Sequence, residues 1–213
     1  MTVPTILITG FGPFPGAPFN PTGPLVKQLT KVRVPRAKIV THIFETSYKA
    51  VDRDLPKLLK RHKPDALLMF GLATRARIIR IETRAQNALA QLPDAAGKTP
   101  RRSAIAKGKP AATPMMAPAQ LLLKAVRKTG VPARLSRDAG QYLCNYLCWH
   151  ATAAAAAQGG PSLAAFVHVP LVKPTATSHA PARTPASKSR LTADDLLRAG
   201  TRVLTALARA IRR

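Results

Sequence analysis

Cys144, His168 and Glu82 stand at element ends, and their types are ones that could together break an amide bond. Such chemistry needs a thiolate to attack a carbonyl and an imidazole to take and return a proton. It also needs a third group to orient the imidazole. Cys144 lies in the stretch Asp138-Ala139-Gly140-Gln141-Tyr142-Leu143-Cys144-Asn145-Tyr146-Leu147-Cys148. Asp138 and Gly140 break the chain, and Leu143, Tyr146 and Leu147 then follow at helical spacing. Cys144 is thereby placed in or near the first turn of a helix. There the unpaired backbone N–H groups and the positive dipole end favour an anion, a thiolate included.

Plainer roles compete with each of these. Most helical cysteines pack, and Cys148, four residues on, reads as a core residue. The Cys-x-x-x-Cys spacing matches no usual zinc or redox pattern, and no second pair completes one, so neither metal nor cofactor is expected. Glu82 ends the alternation Ile79-Arg80-Ile81-Glu82, a half-exposed strand with Glu82 on its polar face. Its ordinary role there is a surface ion pair with Arg80 or Arg84. His168 interrupts the apolar run 164–170, where a satisfied core histidine is the ordinary case. His150 is six residues from Cys144 and so on roughly the opposite side of the helix, a poor substitute base.

The elements that must position these groups are legible in order. Thr5 to Gly10 is a β-branched run ending in glycine, a buried-strand signature. Gly10-Phe11-Gly12-Pro13-Phe14-Pro15-Gly16 follows as a loop. Its two rings either cap the core or wall a ligand pocket at a strand's C-terminal end. Its glycines do not form the dinucleotide fingerprint. Asn20 caps a helix to about Lys31 with Pro21 at its first position. A strand over 38–46, a helix capped by Ser47 and ending near His62, and a strand from Ala66 to Phe70 closing at Gly71 come next. Residues 94–114 read as a mobile excursion or lid. A helix over 118–128, a short strand near 133–135, the Cys144 helix and the His168 strand follow. Residues 173–190 read as a flexible loop. Thr192 caps the last helix, with Asp194 and Asp195 in its first turn and Arg212-Arg213 in its last. The alternation predicts one three-layer α/β/α sandwich over residues 1–213, with a central, largely parallel or mixed sheet.

Composition adds bounds. The 213 residues suffice for one sizeable α/β domain. Two cysteines four apart on one helix make no disulfide framework, so a reducing, cytoplasmic setting is expected. The N-terminus reads as a strand, not a signal peptide, and no apolar run is long enough to span a membrane. Lys and Arg total 34 against 9 Asp and Glu, a net charge of +25. No acidic residue lies between Asp94 and Asp138, while ten basic ones do, among them Lys98, Arg101, Arg102, Lys107 and Lys109. Such a field attracts polyanions without specificity. No nucleic-acid motif accompanies it.

Four blocks together resemble the pyroglutamyl peptidase I (pyrrolidone-carboxylate peptidase) family of cysteine exopeptidases. They are Ile6 through Phe14 followed by Asn20-Pro21, Ile79-Arg80-Ile81-Glu82 through Asn87, Asp138-Ala139-Gly140 through Asn145, and Phe166-Val167-His168-Val169-Pro170. The resemblance implies that Cys144 is the nucleophile, His168 the general base and acid, and Glu82 the orienting carboxylate. It implies that Phe11 and Phe14 sandwich a pyrrolidone ring, with Asn20 beside them. It further implies an acyl-enzyme route to free pyroglutamate from peptides, and a homotetramer or dimer. The chain departs from the family's pattern at Gly71-Leu72-Ala73, where Gly-Gln-Ala is common, which makes Leu72 a residue of the expected pocket. It departs again over 88–96, which is shortened, with Gln91 where arginine is usual. The rival expectations are a catalytically weak member that binds peptides or nucleic acid through the basic surface, and a cysteine hydrolase of different specificity.

Overall fold

The computed structural model describes residues 3–172 and 191–211. The expected loop 173–190 and Arg212-Arg213 lie outside them. Six strands form the main sheet: β1 (Thr5–Phe11), β2 (Lys38–Phe44), β3 (Ala66–Ala73), β4 (Ile79–Glu82), β7 (Ala133–Ser136) and β8 (Leu163–Pro170). Their spatial order is β2-β1-β3-β8-β4-β7. All neighbours run parallel except β4 and β8, which are antiparallel. The sheet is therefore mixed and mostly parallel. The short strands β5 (Arg84–Gln86) and β6 (Ala112–Pro114) pair antiparallel in a second sheet.

Five helices cover both faces: α1 (Thr22–Leu29), α2 (Tyr48–His62), α3 (Ala119–Arg127), α4 (Leu143–Ala156) and α5 (Ala193–Ala210). One core joins Ile6, Ile8, Leu68 and Val167 to α1, α3 and α5. The other joins Leu7, Leu67, Met69 and Phe166 to α2 and α4. The near-continuous apolar runs of β1 and β3 follow from burial on both faces, as in parallel sheets generally. Ser47 caps α2 by accepting the Ala50 N–H. Thr192 and Asp195 form a reciprocal capping box at the start of α5.

Three local expectations shift. The cap of α1 is Pro21, not Asn20; Asn20 Oδ1 still accepts the Thr22 N–H, but its amide turns back to the Gly12 carbonyl at 2.9 Å. Strand β3 does not stop at Gly71, because β8 continues beside it as far as the Ala73–Pro170 pair. Strand β4 is not half-exposed on its Glu82 side. It lies between β8 and β7, so its carboxylate is enclosed rather than at an edge.

The 94–114 segment is tied down at several points. Asp94 is buried, and its carboxylate accepts the N–H groups of Ala96, Lys98 and Tyr48. Asn87 exchanges hydrogen bonds with both backbone groups of Ala106. Ile105 and Met115 are buried in the α2/α4 core. The exposed positions include 95–99, 101–103 and 107–111, and they carry Lys98, Arg101, Arg102, Lys107 and Lys109. Among the described residues, no helix is long and apolar enough to cross a membrane.

Candidate active site

The sheet face under α4 carries the site. In register, Gly71 of β3, His168 of β8 and Arg80 of β4 form one row across three strands. Cross-strand partners share a face, so His168 has a vacancy on one side, where Gly71 lacks a side chain. Helix α4 lowers Cys144 into that vacancy. A Cβ built on Gly71 would stand 2.7 Å from Cys144 Sγ and 2.5 Å from Phe166 Cζ. The sulfur thus rests directly over the strand, beside the imidazole.

Glu82 lies two residues along β4 from Arg80, on the same face. It is 0% exposed, and its Oε1 meets His168 Nδ1 at 2.8 Å. The expected surface pair with Arg80 or Arg84 is absent among the described residues; Arg84 instead donates Nε–H to the Arg137 carbonyl. Burial alone would push the His168 imidazole down. The negative Cys144 sulfur and the hydrogen-bonded Glu82 carboxylate outweigh it, and His168 is pushed up to about 9. The ring therefore favours its cationic form at neutral pH.

Cys144 is the second residue of α4, as the sequence spacing predicts. Asp138 closes the preceding turn by accepting the Gly140 N–H, and Gly140 takes a positive φ of 77°. Cys148 is a buried core residue whose thiol is pushed well up by burial. His150 packs on Tyr146, with ring centroids 4.4 Å apart, and burial pushes it down.

The structure divides the expected pocket residues. Phe14 is half-buried and faces Tyr142 at 6.3 Å, next to the start of α4. Phe11 is buried and packs on Phe44 at 5.8 Å. Asn20 braces this loop, since its amide and carbonyl are both used by Gly12 and Thr22. Leu72 alternates with Gly71 on β3, so its side chain leaves the sheet on the other face from Cys144. Gln91 donates Nε2–H to the Arg102 carbonyl at 3.1 Å and braces the basic run.

Two positioning residues escaped the sequence reading. Gly71 had one available signal, a glycine within an apolar run, which often marks close approach of another group. Gly71→Ala should push the sulfur off its seat. A displacement of about 1 Å is enough for a loss of about 10²-fold in kcat/KM. Steady-state kinetics beside a thermal melt measures it, and unchanged kinetics would contradict the seating. Asn145 is the other. It is fully buried, accepts the Gln86 N–H, and donates to the Gln86 and Ala88 carbonyls. It thus bolts the stretch after Glu82 to the nucleophile helix. Asn145→Ala should lower stability by about 3 kcal/mol in urea unfolding, because it strands several backbone groups at once.

Comparisons with known proteins show the family. A family model described as pyroglutamyl peptidase matches residues 4–206. The pyrrolidone-carboxylate peptidase of Pyrococcus furiosus is 34% identical over 168 residues, 78% of this chain and 81% of that protein. Pyrrolidone-carboxylate peptidase 1 of Ralstonia nicotianae is 34% identical over 178 residues, 83% of each. The solved pyrrolidone carboxyl peptidase from Thermococcus litoralis superposes with a TM-score of 0.86 at 27% identity, over 98% of this chain and 95% of that one. Pyroglutamyl peptidase I of Bacillus amyloliquefaciens gives 0.81 at 29% identity, over 97% of each. With nearly its whole length matched, the chain belongs to the pyroglutamyl peptidase family of cysteine peptidases.

Proposed function

We propose that this chain removes N-terminal pyroglutamate from peptides through a Cys144–His168–Glu82 triad and an acyl-enzyme. The observation that supports it most is the 2.8 Å His168–Glu82 bond beneath a cysteine sulfur seated over Gly71. In the first step Cys144 Sγ bonds to the pyroglutamyl carbonyl carbon. The C–N bond then breaks as the His168 imidazolium gives its proton to the departing amine. In the second step water gives a proton to His168 and bonds to the acyl carbon. The C–S bond breaks, and pyroglutamate leaves. Backbone N–H groups at the start of α4 would receive the oxyanion. Pyroglutamate carries no charged N-terminus, which suits an apolar slot built on Phe11 and Phe14 with Asn20 holding their loop.

The same reading includes a single-domain chain assembled as a homodimer or homotetramer in a reducing, cytoplasmic setting, as the family resemblance suggests. The test is release of a fluorophore from a pyroglutamyl-amide under reducing conditions, with the glutaminyl-amide as control. Release from the first alone is expected, with a burst of fluorophore when deacylation is slow. Equal release from both would sink the specificity, and release from neither would sink the peptidase reading.

A further inference from the structure

The slot and the sulfur account for the pyroglutamyl side of the scissile bond. A second feature begins on the other side of Tyr142. That ring contacts Phe14 at 6.3 Å and Tyr48 at 6.0 Å, and Tyr48 continues to Tyr146 at 5.1 Å. Tyr48 and Tyr146 then wall a cleft of about 370 Å³, closed by Lys98, Arg101 and Arg102. The two ring steps from Phe14 to Tyr48 span at most roughly four extended residues, within reach of a peptide bound at Cys144.

The cleft has the chemistry of an anion receptor with an aromatic wall. Lys98, Arg101 and Arg102 are exposed. They descend from a firm base: Asp94 holds the Lys98 N–H, and Gln91 holds the Arg102 carbonyl. Asp52 is the only carboxylate on the lining, and its Oδ1 already accepts the Tyr146 hydroxyl at 2.7 Å. The Tyr48 hydroxyl is buried and has no hydrogen-bond partner among the described residues.

We propose that this cleft receives the leaving peptide and favours substrates with acidic side chains in the residues just after pyroglutamate. The proposal rests on the peptidase reading above. It gives the basic run 98–102 a function that the overall charge of +25 does not specify.

The test compares C-terminally amidated pyroglutamyl pentapeptides continued by four Glu, four Ala or four Lys residues, with pyroglutamate release followed chromatographically. The acidic substrate should lead the neutral one by about tenfold in kcat/KM, mostly through KM, and the lead should shrink in salt. Lys98→Ser with Arg101→Ser should remove the lead and leave the neutral substrate unchanged. Lys27→Ser with Lys31→Ser, an equal charge loss at the C-terminal end of α1 and just beyond it, across the sheet, should retain it. A wild type that cleaves all three alike overturns the cleft and leaves the peptidase standing. The Cys144→Ala protein reads binding without turnover, by anisotropy of a labelled acidic peptide. Binding that weakens in the Lys98/Arg101 variant, and not in the α1 control, supports the cleft even if no turnover is found. Binding that is equal in both variants, or displaced as well by an oligonucleotide, assigns the attraction to general charge and overturns it.

Discussion

Cys144→Ala should reduce pyroglutamyl hydrolysis by about 10⁵- to 10⁶-fold, the scale on which loss of a triad nucleophile is felt. The size follows from the seat of the sulfur. It stands over Gly71 and beside His168, so among the described residues no other group occupies that position. Substrate binding should survive, since the slot residues are untouched. The melting temperature should move by less than about 4 °C, because a half-buried thiol is exchanged for a methyl group. Cys148 makes the control. It is buried and points into the α2/α4 core, so Cys148→Ala should lose stability by about 1 kcal/mol and keep its activity. Iodoacetamide should label the wild type once, at Cys144. Full activity in Cys144→Ala, or labelling at Cys148 instead, would move the chemistry elsewhere.

How much of this was legible in the sequence depended on how local the signal was. The turn before α4, the Ser47 and Thr192 caps and the apolar runs of β1, β3 and β8 are written in residues next to one another. They were read at nearly their true places. Alternation puts Glu82 on a polar face yet the structure buries it, because alternation reports which side of a strand a residue takes, not what covers that side. The cover is α4, which arrives more than sixty positions later in the chain. Gly71 was read as a strand terminator for the same reason: the group that needs its missing side chain is Cys144. Leu72 was assigned to the pocket by its neighbourhood in the family pattern, whereas strand alternation sends its side chain to the opposite face. Asn145 carried no composition signal at all, since its partners are backbone atoms of residues 86 and 88. The strands β5 and β6 were missed because three-residue strands fall below any usable period.

Glu82→Gln should lower kcat by about 10³- to 10⁴-fold while leaving the fold intact. The carboxylate accepts from His168 Nδ1, which fixes the other ring nitrogen toward the sulfur and stabilises the imidazolium. An amide at position 82 can present its NH₂ to Nδ1. That selects the opposite tautomer, which cannot take a proton from Cys144. Stability should respond quite differently. Oε2 of Glu82 is buried without a hydrogen-bond partner among the described residues, an arrangement that disfavours the folded state. The substitution removes the buried charge, while the amide oxygen takes the unpartnered place of Oε2 at a smaller cost. It strands no cation, because His168 can become neutral more readily once the Glu82 contribution, which adds to the larger one from Cys144, is gone. The sign with pH is fixed by the same shift. His168 lies above its ordinary 6.5 in the fold, at about 9. Its contribution to stability is full below 6.5 and fades as pH rises through about 9. Any stability advantage of wild type over Glu82→Gln should therefore be greatest near pH 6 and vanish above pH 9, read as urea midpoints. The alkaline limb of kcat/KM should lie near 9 in the wild type and move to lower pH in the variant. A variant that loses activity together with its fold at every pH would make Glu82 a structural carboxylate. One that keeps the wild-type alkaline limb would separate Glu82 from His168 altogether.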